Sequence, residues 1–197
     1  MKQKFINNSV KMITSYNPNY TEYDIKKLRY GLEGIYLTIT KVAVILAIAA
    51  LVQNLIQVLL VMLFFNIIHF TGFGFHADKS SVCLTLSIFN FNIISYLLLM
   101  TSINTFWFII ISLICIFFFL LYAPADTPKR PLKNKRKRLI RKIITIIIGF
   151  IYLALGIFFN NELLTIVLVN ALIIQTIVIL PLTYKIFKMK YRNYKQA

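Results

Sequence analysis

Six times after residue 34 the chain enters a run of apolar residues about as long as a bilayer is thick. The runs are residues 35–51, 55–70, 83–100, 106–122, 143–159 and 163–184. A hydrocarbon core of about 30 Å takes roughly 20 helical residues, and every backbone polar group inside it must be bonded internally. The expected fold class is therefore all-α: a polytopic membrane protein of about six transmembrane or partly re-entrant helices. The run 55–70 is short for a full span, so the first two spans are expected to tilt or to be partly re-entrant. Lys41 does not veto the first span, because a lysine about two turns in can carry its ammonium back to the interface. Composition agrees: 59% of the 197 residues are apolar, against about 45–50% in soluble domains. Nothing reads as a second domain, so 1–197 is taken as a single integral membrane unit.

Charge sets the orientation. The 22 Lys and Arg outnumber 6 Asp and Glu, for a formal charge of +16. Six basic residues lie in 1–34, nine in 123–142 and five in 185–197, while 53–54, 101–105 and 160–162 carry none. Six spans put every basic segment on one side and every uncharged turn on the other. By the positive-inside rule the basic side is the cytoplasm. The expected layout has a cytoplasmic or interfacial segment at 1–34, a basic cytoplasmic loop at 123–142 and a basic cytoplasmic tail at 185–197. In a membrane protein such charge points to an anionic lipid bilayer rather than to nucleic acid. Residues 1–34 do not read as a cleavable signal peptide. Residues 1–20 read as irregular or interfacial. Residues 21–34 read as an amphipathic surface helix, with Thr21 as cap and Asp24 three residues on. Prolines prevent helix at the start of the basic loop, and a helix is expected to resume from about Asn134.

The break between the second and third spans reads Phe-Thr-Gly-Phe-Gly-Phe-His-Ala-Asp-Lys-Ser-Ser-Val-Cys, from Phe70 to Cys83. It reads as a tight polar loop, or as a site with His76 as base and Cys83 as nucleophile. A thiolate is the reactive form of cysteine, and an imidazole can generate it. On one continuous helix the two would stand about 10.5 Å apart along the axis. A base works within about 3 Å of its nucleophile or through one water, so His76 is expected on a loop that folds back. Gly72 and Gly74 weaken helix ahead of it. Ser80 is the expected N-cap of the next helix, which puts Cys83 in its first turn. There the helix dipole and Lys79 favour a thiolate. Asp78 reads as an orienter of His76, as a cap, or as a partner of Lys79, and these stay open. His69, His76 and Cys83 recur every seven residues, a spacing that sets ligands too far apart for one zinc ion, so no metal is expected. His69 reads as an interfacial residue and Cys115 as a packing residue. The basic run 129–142 reads as a topology signal that binds anionic lipid. Whether it also holds an acidic part of a substrate is left open.

Three stretches resemble the accessory gene regulator B (AgrB) family, membrane peptidases that process quorum-sensing propeptides in Gram-positive bacteria. They are Tyr30-Gly31-Leu32-Glu33 leading to Lys41; Gly74-Phe75-His76-Ala77 with Cys83; and Tyr122 to Pro131 followed by the basic run. Order and spacing match over nearly the whole chain. Two departures are visible: Phe73 stands where members often carry glycine, and His69 stands near the position of an arginine. The resemblance implies a cysteine endopeptidase with Cys83 as nucleophile and His76 as its histidine, and no cofactor. It implies a short AgrD-like propeptide substrate with an amphipathic leader and an acidic tail, cut on the C-terminal side of the signal segment, with closure to a thiolactone or lactone. The enzyme would be a multi-pass cell-membrane protein whose termini and active site face the cytoplasm; a homodimer is left open. The competing expectation is a small non-catalytic transport or export protein. It would put ionisable residues along a pathway inside the spans, and apart from Lys41 they hold no Lys, Arg, Asp or Glu.

Overall fold

The computed structural model describes residues 2–16, 19–77, 79–127 and 131–193. The chain divides into two compact units, Met1–Ala47 and Ile48–Ala197.

In the first unit, α1 (Lys2–Tyr16) lies along the start of α2 (Glu22–Leu51). Residues 1–20 were expected to be irregular or interfacial; residues 2–16 are helical, which corrects the irregular alternative. The physical reason lies in partners distant in sequence. Lys2 donates to Glu33, Arg29 Nη1 donates to Asn7 Oδ1 at 2.7 Å, and Phe5 meets Tyr36 with ring centroids 5.5 Å apart. Ile6 and Val10, one turn apart, are buried. A short helix is marginal alone and gains its stability from such contacts. The expected cap of α2 forms as a reciprocal pair. Thr21 N donates to Asp24 Oδ2 (3.1 Å), and Asp24 N donates to Thr21 Oγ1 (3.3 Å). The surface helix and the first apolar run are one continuous helix of 30 residues.

The second unit is built around α8 (Glu162–Ile179). It is mainly apolar on every side, with Asn170 and Gln175 as polar exceptions, and twelve of its residues are buried, as befits a helix enclosed by others. Against it pack α3 (Leu55–Gly72), α5 (Ile94–Leu99), α6 (Thr105–Tyr122) and α7 (Lys135–Phe159). Ile68, Phe108, Phe119, Leu168, Leu172 and Ile179 form the centre of the core. The third span runs from α4 (Ser80–Ile88) through a π-helical turn, Phe89–Ile93, into α5. Ser95 joins it to its neighbours: its carbonyl accepts from Gln57 Nε2 (2.9 Å), and its Oγ accepts from Asn170 Nδ2 (2.5 Å).

Asparagine side chains cap three of the described helices. Asn104, Asn134 and Asn161 accept from the backbone N–H of Trp107, Lys137 and Leu164. The helix expected from Asn134 begins with that residue as its cap. The last span is shorter than the apolar run 163–184. It ends at Ile179, because Pro181 lacks the N–H that would continue the ladder, and the chain restarts as α9 (Pro181–Ile186). Among the described residues six helices are long and apolar enough to cross a membrane. With no strand among the described residues, the fold is all-α and the chain is a multi-pass membrane protein.

Candidate active site

The segment after α3 is held from four sides before it reaches His76. Helix α3 closes with Phe73 N donating to His69 O at 2.9 Å. From α8, Gln175 is fully buried and donates from Nε2 to Phe73 O at 2.9 Å. Its Oε1 lies 3.0 Å from His69 Nδ1. An amide oxygen only accepts, so this pair keeps the His69 proton on Nδ1. From α7, Arg141 Nη1 donates to Phe70 O (2.9 Å) and the guanidinium lies 4.3 Å from the Phe73 ring centroid. Thr145 Oγ1 donates to Thr71 Oγ1 at 2.9 Å. From the basic loop, Ala125 N donates to Gly72 O (3.0 Å), in an isolated parallel bridge of Phe73 with Ala125. Lastly, Phe75 N donates to Val178 O at 2.7 Å.

This grip dictates the two glycines. A Cβ on Gly72 would collide with the Gln175 amide. Gly74 has φ +149°, a backbone region that L side chains rarely adopt, and a Cβ there would lie 2.7 Å from Val178 Cγ2 and 2.9 Å from Val178 O. Phe73 itself sits at φ 49°, ψ −154°. That conformation favours glycine and costs a larger residue about 1–3 kcal/mol. It is the position at which the resembled family often carries glycine, and here the Arg141 guanidinium stacks on the phenyl ring.

The loop 123–132 is tied to the tail through Asp126, which is 2% exposed. Its Oδ1 accepts from Asn193 N (3.0 Å) and its Oδ2 from Leu132 N (3.3 Å), while its carbonyl accepts from Tyr184 Oη (3.2 Å).

His76 follows in the irregular stretch 74–77 and is exposed. Its Nδ1 lies 3.3 Å from Ala77 O. A carbonyl only accepts, so this long hydrogen bond holds the proton on Nδ1 and leaves Nε2 as the basic nitrogen. Cys83 is half-buried with a free thiol on the first turns of α4. The expected cap, Ser80, is not the cap. Lys79 takes that place with extended backbone, and Cys83 N donates to Lys79 O at 3.1 Å. Cys83 thus stands one position deeper in the helix than its sequence suggests, because Lys79, not Ser80, leaves the helical conformation. No hydrogen bond joins His76 to Cys83 among the described residues. Asp78 lies outside the described residues. Cys115 is buried in the core of the second unit, as a packing residue would be. His69 is a half-buried member of the grip, stacked on Phe65 at 4.8 Å.

Sequence reasoning missed Gln175, Arg141, Thr145 and Asp126 as positioning residues. Gln175 carried a signal, since an amide inside an apolar span is expensive without partners. Among the described residues no three His, Cys, Asp or Glu side chains gather where they could hold a metal ion.

A family model described as accessory gene regulator B matches residues 5–179. A putative AgrB-like protein of Listeria innocua is 34% identical over 178 residues, covering 86% of this chain and 83% of the relative. One of Clostridium acetobutylicum is 26% identical over 171 residues, covering 87% and 82%. An accessory gene regulator protein B of Staphylococcus epidermidis is 28% identical over 143 residues, covering 70% and 74%. No solved structure matches.

Proposed function

The chain belongs to the accessory gene regulator B family, and on that premise we propose that it is a membrane cysteine endopeptidase acting on a short AgrD-like precursor. The observation that carries the reading is the end of the gripped segment: an exposed His76 with a basic Nε2, followed on the next helix by the free thiol of Cys83. The absence of a direct hydrogen bond is compatible with this, since catalytic contacts often tighten only when substrate binds.

In the proposed reaction His76 Nε2 takes the Cys83 proton, and the thiolate attacks the scissile carbonyl. The tetrahedral intermediate collapses with loss of the amine of the C-terminal tail, which receives the proton from His76. The N-terminal part stays on Sγ as a thioester. A thiol or hydroxyl within the same precursor then attacks that carbonyl, and Cys83 leaves with a proton restored to it. Intramolecular groups can reach effective molarities of about 10⁵ M, so ring closure to a thiolactone or lactone outruns hydrolysis. We place this chemistry, with both termini, on the cytoplasmic face, where the basic segments also favour an acidic precursor tail.

The test is cleavage of the precursor by purified protein in proteoliposomes. Cys83→Ala and His76→Ala should each abolish cleavage while still inserting, and Cys115→Ala should keep most of it. Retained cleavage by the inserted Cys83→Ala protein would remove the nucleophile. Mass spectrometry separates the products, because the ring is lighter than the linear acid by one water. Linear acid alone at the earliest times would leave a plain hydrolase.

A further inference from the structure

An open cavity of about 280 Å³ is lined by Pro124, Ala125 and Asp126 of the loop whose Ala125 bonds the gripped segment. Lys135, Arg138 and Lys142 enter it from α7 and Arg192 from the tail. Positions 135, 138, 139 and 142 follow the i, i+3, i+4, i+7 spacing of one helix face, so three cations form a stripe with Leu139 among them.

That stripe sits where a cation is least favoured. The first turn of α7 holds Lys135 to Arg138 and no acidic residue. A helix N-terminus carries the positive end of the dipole and unpaired N–H groups, so clustered cations there are mutually destabilising and an anion is favoured. Among the described lining residues Lys135, Arg138, Lys142 and Arg192 are the cations and Asp126 is the carboxylate, which also accepts from the backbone of Leu132 and Asn193.

The apolar side of the cavity narrows the class of anion. Leu121 and Leu139 line it and are 42% and 58% exposed. One turn deeper on the same two faces stand Phe117 and Ile143, also exposed. In water this would be a costly apolar strip; in a bilayer it faces acyl chains. A ligand that satisfies both halves has a phosphate at the membrane boundary and chains that run inward. We propose that this cavity is a binding site for the headgroup phosphate of an anionic glycerophospholipid, with Lys135, Arg138, Lys142 and Arg192 around the phosphate and the acyl chains on Leu121 and Leu139. The site does not depend on the peptidase reading.

Native mass spectrometry of the full chain in neutral detergent tests it, with titrations of phosphatidylglycerol, phosphatidylcholine of the same acyl chains, and inorganic phosphate. Phosphatidylglycerol should give one tight adduct. Lys135→Gln/Lys142→Gln should weaken it by about tenfold or more, since each loses a charge-assisted contact with the phosphate itself. Arg136→Gln/Lys137→Gln makes the same charge change off the stripe and should leave the adduct within about twofold, as a cavity-specific contact requires. Arg192→Gln, at an exposed tail residue, should weaken it by about threefold or more and serves if the first double variant fails to fold. Equal loss in both double variants would reduce the effect to bulk charge and overturn the site. So would equal binding of phosphatidylcholine, full competition by inorganic phosphate at equal concentration, or displacement of the lipid by an acidic peptide at lower concentration. The last two outcomes would reassign the cavity to free phosphate or to a peptide.

Discussion

Replacing Gly74 by alanine tests whether the grip on residues 70–75 positions His76. The residue has φ +149°, and the added Cβ meets Val178 Cγ2 at 2.7 Å, Val178 O at 2.9 Å and Val178 Cβ at 3.0 Å. Two of these atoms belong to a side chain, but the third is the carbonyl that accepts from Phe75 N at 2.7 Å. The segment cannot keep both that hydrogen bond and the new methyl group. Backbone strain of about 1–3 kcal/mol and a lost hydrogen bond of about 0.5–1.5 kcal/mol sum to roughly 2–4 kcal/mol. If the chain relieves this by moving His76, two residues on, the productive geometry becomes rarer by about 30-fold to 1,000-fold, at 1.36 kcal/mol per decade. The assay is the initial rate of precursor cleavage in proteoliposomes, with alkylation of Cys83 as a measure of an intact, inserted protein. Val178→Ala in the same chain removes the Cγ2 contact and leaves those with Cβ and the carbonyl, so it should recover about tenfold at most. A Gly74→Ala protein with cleavage within about threefold of the parent would refute the reasoning, because a displaced base cannot be so cheap.

Two further outcomes follow from the fold. Membrane-impermeant thiol reagent should label Cys83 in inverted vesicles and not in intact cells, while labelling from outside would overturn the charge-based orientation. Burial, then the Asp126 carboxylate and Tyr191, hold the Tyr184 phenol above its ordinary value of about 10, in a residue beyond the end of α8. The folded state then keeps a proton that the unfolded chain releases, so stability is full below about pH 10 and falls as pH rises past it. Tyr184→Phe should flatten that alkaline fall and cost about 1 kcal/mol at neutral pH through the lost bond to Asp126 O, read from denaturant unfolding at several pH values. An unchanged alkaline slope would remove Tyr184 as its source.

The sequence alone determined the number of spans and the class of fold. The reason is that a bilayer offers no water, so a run of apolar residues must become a helix whatever surrounds it. Local chemistry likewise determined the Thr21–Asp24 cap and the start of α7 at Asn134, since a cap is satisfied by residues three positions away. The pair proposed above, His76 and Cys83, was legible as a polar break with reactive residue types, on opposite sides of a helix start. Features decided by distant partners were not legible. Helix α1 forms from residues with little apolar content because α2 supplies Glu33, Arg29 and Tyr36. The cap of α4 fell to Lys79 rather than Ser80 although Ser is the better capping residue, which shows the backbone path overriding local preference. Above all, the conformation of Phe73 and Gly74 is fixed by Gln175 and Val178, about 100 residues away in the chain, and by Ala125. Periodicity reports which residues share a face of one helix; it carries no information about which buried amide on another helix will bind a particular carbonyl. That choice was made only when α8 was enclosed by its neighbours and its polar side chains had to find partners away from water.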